Sequence, residues 1–291
     1  RSLKEVGLYN IASPTAKLLT YFPIAIMNIV IPLASELWTK KRFDLLKAGI
    51  ESLYKYSMIV ILPLVLIVFS FSELIIGIFF GKEFLLAANA LRILSIGMIF
   101  STLYGINVSF FSGIGKPEIT SKIVYSGAVF NLIFDIILIP FLGIEGAAIT
   151  TSISFLIMMI YGLWKMKHLI NIEFPLTLWL RSLLAGILFL FSILLLKKVI
   201  VFNILVEAFI VLFISGIIYL SLLFLLRIIN IGSDLDCEIR IILAGVVFMR
   251  QLIEYMRYLR CVILTNAKTN RFSYFICQRI FYRIIQERLA K

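Results

Sequence analysis

Residues 127–154, GAVFNLIFDIILIPFLGIEGAAITTSIS, predict two membrane helices joined by a tight turn. Asn131 and Asp135 are four residues apart and therefore share one face of the first helix. Pro140 predicts that this helix ends nearby, because proline has no backbone N–H to donate to the helical ladder.

The second helix of this hairpin begins with a side of small or hydroxyl-bearing residues, namely Gly146, Ala147, Thr150, Thr151 and Ser154. Such side chains allow membrane helices to approach closely and to hydrogen-bond across the contact. Asp135 opposite such a side indicates function, because a charge in hydrocarbon is costly. A structural interpretation is equally open, in which Asp135 accepts a hydrogen bond from Thr150 or Thr151.

The composition predicts an integral membrane protein. Of 291 residues, 62% are hydrophobic and only 15% are charged, and the mean hydropathy is +1.05, far from the values of soluble domains. Apolar runs reach the roughly 20 residues that a spanning helix needs, and they are continuous rather than alternating. The predicted fold class is therefore all-α, a polytopic bundle of spanning helices.

The charge distribution predicts orientation rather than nucleic-acid binding. The net charge of +12 comes from Lys and Arg clustered between apolar runs, which is typical of cytoplasmic loops. Loops 36–55, 113–117 and 165–168 are expected on the cytoplasmic side, and the turns at Gly81 and Gly143 on the other. The protein is predicted to lie in the cell membrane as a multi-pass protein, with membrane lipids and no nucleic acid as partners.

Seven spanning helices are predicted, at about 6–35, 56–72, 86–112, 119–140, 145–164, 176–196 and 205–226. Prolines predict a kinked first span, and the short apolar stretch after residue 72 predicts an interfacial segment.

The sequence therefore predicts two domains. The first is a transmembrane bundle over 1–230, and the second is a basic, amphipathic or poorly structured cytoplasmic tail over 231–291. The chain opens on Arg1 in what reads as mid-protein sequence, so we expect a fragment or a truncated gene product.

The third span carries a small residue at every fourth position, namely Gly97, Ser101, Gly105, Ser109 and Gly113. Such a stripe predicts a helix-packing face.

His168 is the only histidine, and the three cysteines are scattered in the tail, so neither a metal site nor a cofactor is expected.

Five stretches, taken in order, resemble one family: EVGLYNIASPTAKLL (5–19), IVIPLASEL (29–37), IIGIFFGKEFLLAANALRIL (75–94), SGIGKPEI (112–119) and NLIFDIILIPFLGIEGAAITTSIS (131–154). They are similar to the polysaccharide-biosynthesis, or oligosaccharide-flippase, family of the multidrug/oligosaccharidyl-lipid/polysaccharide exporter superfamily. The resemblance implies 12 to 14 spans in two lobes around a central cavity, of which this chain would be the second half. A separate chain or a missing segment would supply the first lobe.

The resemblance implies transport of a lipid-linked oligosaccharide rather than an enzymatic reaction. Cationic and polar side chains in the spans then become candidates for binding the substrate and its pyrophosphate linker: Lys17, Arg92, Asn107 and Lys122. Asn131 and Asp135 become candidates for ion coupling. Lys17 has a second interpretation, in which its long side chain reaches the nearer membrane surface.

Three other functions remain open at this point. A drug or metabolite antiporter of the same superfamily would bind a cation at Asp135. An inactive remnant of a flippase gene would explain the missing lobe. A membrane-embedded glycosyltransferase is disfavoured, because the bundle shows no paired carboxylates and no large polar loop.

Overall fold

The computed structural model describes residues 3–199, 204–226 and 228, and every regular element in these ranges is helical. The α-helices are α1 (Leu3–Lys17), α2 (Tyr21–Thr39), α3 (Phe43–Ser70), α4 (Ser72–Phe79), α5 (Ala87–Gly113), α6 (Pro117–Leu142), α7 (Ile144–Ile170), α8 (Leu176–Val199) and α9 (Ile204–Leu225). Two short 3₁₀ turns occupy Leu18–Thr20 and Lys82–Phe84. The all-helical prediction is confirmed, and the predicted tail over 231–291 lies outside the described residues.

Six described helices are long and apolar enough to cross a membrane, namely α3 and α5 to α9. They correspond to the second to seventh predicted spans. The predicted connector over 36–55 is not a separate element, because α2 continues to Thr39 and α3 already begins at Phe43. The short segment after residue 72 forms α4, followed by Gly81 at a φ of +101°, a conformation that glycine adopts without strain.

The first predicted span, 6–35, is divided into α1 and α2 by the 3₁₀ turn Leu18–Thr20. Pro23 has no N–H with which to continue an α-helical ladder back to Leu19. The Thr20 hydroxyl also donates to the Lys17 carbonyl, at 2.6 Å, and so occupies an acceptor at the end of α1. The expected kink is therefore a break between two helices.

The prediction that the fourth span stops near Pro140 is confirmed, since the helix ends two residues later. α6 runs through Pro140 and ends at Leu142, where Gly143 adopts φ +60° and ψ −134°. Proline in the last turn removes one donor but leaves the preceding turns intact. The reversal itself depends on Gly143, because this conformation is strongly unfavourable for residues with a side chain.

Helix α5 lies at the centre of the bundle and α6 at its surface. In their apolar windows, 67% of α5 but only 11% of α6 is buried. α5 packs against α1, α2, α3 and α7, whereas α6 packs mainly on α7, and the α8–α9 pair packs on α3. We call the end with the α2–α3, α5–α6 and α7–α8 connections the basic end, since it carries the Lys- and Arg-rich loops.

Candidate functional site

A polar contact joins α6 and α7 at the hairpin. The Thr150 hydroxyl donates a hydrogen bond to Asp135 Oδ1. The Asn131 amide donates to Thr150 Oγ1 at 3.4 Å and to Thr151 Oγ1 at 3.5 Å. Asn131 and Asp135 are half-buried, so the structure brings the two predicted ion-coupling residues together on one face of α6.

Tyr9 extends this polar contact to α1. Its hydroxyl lies 3.2 Å from Thr151 Oγ1. A hydrogen-bonded path therefore runs from Asp135 to Thr150, through the Asn131 amide to Thr151, and on to Tyr9 of α1. Sequence patterns did not single out Tyr9, because it is separated from Thr151 by 142 residues.

The Thr150 hydroxyl has one proton and two acceptors within reach. Besides Asp135 Oδ1, the Ala147 carbonyl lies 3.0 Å from Thr150 Oγ1. The Asp135 carboxyl and the Ala147 carbonyl therefore compete for a single hydroxyl proton.

Arg92 lies away from this site, near the start of α5. Its Nη2 donates to Glu73 Oε1 at 2.6 Å, and its Nη1 donates to Asn89 Oδ1 at 2.8 Å. Asn89 in turn donates to Glu145 Oε1 at 3.1 Å. The guanidinium therefore already has a carboxylate partner, and the cluster links α4, α5 and α7 at the end opposite the basic end.

Asn107 is fully buried, which does not fit the prediction that it binds substrate. The Tyr54 hydroxyl donates to Asn107 Oδ1, and Asn107 Nδ2 donates to the Met159 carbonyl at 3.3 Å. Tyr54 also lies 3.4 Å from the Met166 sulfur. The amide thus ties α3, α5 and α7 together, because both of its polar atoms are engaged within the bundle.

Lys17 and Lys122 have exposed side chains without an ion-pair partner among the described residues. Lys17 is the last residue of α1 and directly precedes the 3₁₀ turn. Lys122 lies in the second turn of α6, at the basic end. The four candidate substrate residues therefore do not form one cluster in this structure.

The five residues of the predicted packing stripe on α5 are all buried. A Cβ built on Gly97 would lie 2.5 Å from Ser152 Oγ on α7, and one on Gly113 would lie 2.6 Å from the Ile31 carbonyl on α2. Ser152 also donates across to the Ile93 carbonyl at 3.1 Å. At these two glycines, α5 approaches α7 and α2 so closely that a side chain would not fit.

Comparison with known proteins finds similarity to one family and to several membrane proteins. The MatE family matches residues 2–137. An uncharacterized membrane protein of Methanocaldococcus jannaschii is 38% identical over 237 residues, which are 80% of this chain and 46% of that protein. The probable low-salt glycan biosynthesis flippase Agl15 of Haloferax volcanii is 27% identical over 223 residues, 75% of this chain and 46% of Agl15. The chain thus spans about half the length of these relatives.

A solved structure shows the same fold. The lipid II flippase MurJ in an inward closed conformation superposes with a TM-score of 0.64 at 21% identity. The match covers 75% of this chain and 46% of that protein. The helical arrangement described above is therefore one that a known membrane protein adopts over about half of its length.

Proposed function

Because the chain belongs to the polysaccharide-flippase superfamily, we propose that it provides one helical lobe of a flippase for lipid-linked oligosaccharide. Such a substrate has a polar sugar head that must cross hydrocarbon while its lipid tail stays there. A polar cavity between two lobes, open alternately to each side, performs this transfer. The similarity to Agl15 over 75% of the chain supports this substrate class.

The cavity wall in this proposal is the α1–α2 side of the lobe, and the observation that carries it is the exposed position of Lys17. Asn10, Lys17 and Asn28 are all exposed on α1 and α2. The middle and final turns of α6, by contrast, expose large apolar side chains such as Leu132, Ile136 and Phe141. Polar groups suit a watery cavity and apolar groups suit lipid, so the two surfaces face different surroundings.

Lys17 is the candidate cation for the pyrophosphate linker. It lies at the break between α1 and α2, and neither at the start of α1 nor at the end of α2. Lys122 lies at the basic end, where it suits contact with anionic headgroups at the membrane surface. Arg92 is a weaker candidate, because the substrate would have to replace Glu73.

Asp135 and Asn131 are proposed to couple cation binding to the movement of the lobe. The carboxylate and amide oxygens, together with the Thr150 and Thr151 hydroxyls, offer hard oxygen ligands for a proton or sodium ion. Through Thr151 and Tyr9, the same atoms are connected to α1, which carries Lys17. Cation binding at Asp135 and substrate binding at Lys17 would then both act on the contact between α1 and α7.

A chimera tests the lobe proposal directly. Residues 1–230 would replace the matching segment of Agl15 in a Haloferax volcanii strain that lacks Agl15, and cell-surface glycan would be measured. We expect glycan export to return. The matched control is the strain with Agl15 lacking that segment, with all membrane levels quantified by immunoblot.

Two outcomes would favour other functions. A chimera that is present in the membrane at the level of intact Agl15 but exports no glycan contradicts the flippase proposal. If that chimera instead lowers accumulation of cationic dyes, the antiporter of the same superfamily becomes the better interpretation.

A further inference from the structure

The α8–α9 pair forms a hydrophobic cluster with one side of α3. The buried members of this cluster include Ile59 on α3, Ala185, Phe189 and Ile193 on α8, and Val211, Tyr219 and Leu223 on α9. Other buried residues of α3, such as Met58, Ile61 and Val65, belong instead to the cluster that contains α1 and α5. Helix α3 therefore presents one side to the main bundle and another side to the α8–α9 pair.

Pro63 leaves one carbonyl on α3 without its helical donor. In an α-helix the carbonyl of residue 59 accepts from the N–H of residue 63, and proline has no N–H. The Ile59 carbonyl accepts instead from the Tyr219 hydroxyl of α9, at 2.9 Å. Because Tyr219 is 5% exposed, this bond lies inside the contact between the two helices. A neighbouring helix thus supplies the missing donor, which is how a membrane span tolerates an interior proline.

The α8–α9 pair also binds a carbonyl at the end of α3. Ser70 is the last residue of that helix, and the carbonyls of a last turn have no donor within their own helix. The Lys197 ammonium, near the end of α8, donates to the Ser70 carbonyl at 2.5 Å and lies 3.9 Å from the centre of the Phe71 ring. Ile59 and Ser70 are eleven residues apart, roughly 16 Å along a helix. The pair is therefore bonded to α3 at two distant points.

We propose that Tyr219 and Lys197 form a two-point latch that holds the α8–α9 pair to α3 through these two carbonyls. Apolar packing alone distinguishes little between a helix and lipid, because lipid tails are as apolar as the side chains. A backbone carbonyl without a donor in hydrocarbon is costly, so it favours the position in which the donor is present. The two bonds therefore determine where the pair lies, and breaking them releases it from α3. This latch goes beyond the proposed function and does not depend on the transported substrate.

A double-mutant cycle between Tyr219 and Pro63 tests the first point of the latch. Tyr219→Phe should lower the Tm by about 2–4 °C, the effect of losing one ordinary hydrogen bond in a domain of this size. In the Pro63→Ala background, the alanine N–H donates to the Ile59 carbonyl, so the Tm loss caused by Tyr219→Phe should be less than half as large. Equal losses in the two backgrounds would overturn the proposal, because the hydroxyl would then not replace the donor that proline lacks.

Tyr104→Phe on α5 is the matched control for this cycle. The Tyr104 ring is half-buried and stacks on Phe155 at 6.0 Å, but no hydrogen bond of its hydroxyl is found within the part of the chain that the structure describes. Its small effect on the Tm should be the same with and without Pro63→Ala. A Tm loss as large as that of Tyr219→Phe would contradict the proposal, since removal of any packed tyrosine hydroxyl would then suffice.

Electron paramagnetic resonance on the full-length chain in nanodiscs tests whether the two bonds fix the position of the pair. In a chain whose three cysteines are replaced by serine, nitroxide labels would be attached to cysteines introduced at Ser121 on α6 and Ser221 on α9. Both positions are exposed, so the labels should not disturb the packing. The distance between the labels reports the position of α9 relative to the main bundle, and we expect one narrow distribution.

The double variant Tyr219→Phe/Lys197→Gln should broaden this distribution, because both carbonyls lose their donors. The control Tyr104→Phe/Lys198→Gln should keep it narrow, since Lys198 is exposed and directly follows Lys197. A narrow, unchanged distribution in Tyr219→Phe/Lys197→Gln would overturn the latch. A broad distribution in the chain with all four of these residues unchanged would overturn it as well.

Discussion

Thr150 on α7 donates a hydrogen bond to the carboxylate of Asp135 on α6, across the hairpin that the sequence pattern predicted. This is the contact expected if Asp135 has a structural role. It is equally compatible with a cation site, because the Thr150 proton has a second acceptor in the Ala147 carbonyl. The two roles differ in how they depend on the charge of Asp135.

Asp135→Asn separates these roles. The amide keeps the shape and can still accept from Thr150, so folding should be affected by no more than about 1 kcal/mol, the net contribution of an ordinary hydrogen bond. If Asp135 couples ions, glycan export by the chimera should be lost while its membrane level stays normal. Glu118→Gln, an exposed carboxylate on the same helix, is the control and should export normally. Normal export by Asp135→Asn would exclude the coupling role.

Tyr9→Phe tests the link between α1 and the hairpin. Removal of the hydroxyl leaves Thr151 without its partner on α1, so we expect a loss of roughly 0.5–1.5 kcal/mol in the free energy of unfolding. Thermal or denaturant unfolding in detergent would measure it. Tyr125→Phe on α6, where the tyrosine is 70% exposed, should leave stability unchanged. Equal effects of the two substitutions would contradict a role for the Tyr9 hydroxyl.

Gly97→Ala tests the close approach of α5 and α7. The new methyl group would lie 2.9 Å from Ser152 Cβ and 3.0 Å from its Cα, so backbone must move. Overpacking of this kind typically costs about 1–3 kcal/mol. Gly49→Ala, inside α3 with no atom within 4 Å of the new Cβ, should instead stabilise by roughly 0.5–1 kcal/mol because alanine favours helix. Unfolding curves of the two variants should therefore shift in opposite directions.

The sequence predicted contacts between neighbouring parts of the chain and missed those between distant parts. Asn131, Asp135 and Thr150 could be placed together because helical spacing and a single turn bring them to one face. Tyr9 and Thr151, or Tyr54 and Asn107, meet only through the packing of whole helices, which no local period encodes. Asn107 consequently looked like a substrate ligand, although its amide is buried.

Helix ends, too, could be predicted only in part from the sequence. Pro140 correctly marked the end of α6 to within two residues, whereas the reversal itself occurs at Gly143. The division of the first span at Leu18–Thr20 was expected only as a kink. In both places, the choice between a bend and a break depends on backbone geometry and side-chain bonds such as that of Thr20, rather than on hydropathy.

Cysteine labelling tests the predicted topology. In a chain with Cys237, Cys261 and Cys277 replaced by serine, single cysteines at Lys40 and Glu83 should react with an impermeant reagent from opposite sides. Both positions are exposed, and Glu83 lies in the 3₁₀ turn that follows Gly81. The basic loops predict Lys40 on the cytoplasmic side. Labelling of both cysteines from one side would contradict the arrangement of spans.

Lys17→Gln tests the proposed cavity wall. An exposed ammonium at the break between α1 and α2 would be costly against lipid but useful against a pyrophosphate. A hydrogen bond to a charged group contributes about 1.5–3 kcal/mol, so the loss should lower export by the chimera on the order of tenfold or more. Lys17→Arg should retain much of the activity because it keeps the charge.

Lys82→Gln is the matched control for Lys17, because it removes an exposed lysine from the 3₁₀ turn after α4. Its export should equal that of the unmodified chimera. Export and Tm together separate the two interpretations of Lys17. If Lys17 only reaches the membrane surface, Lys17→Gln should export normally, whatever its Tm. Lost export at unchanged membrane level and Tm is therefore the result that only a substrate-facing Lys17 produces.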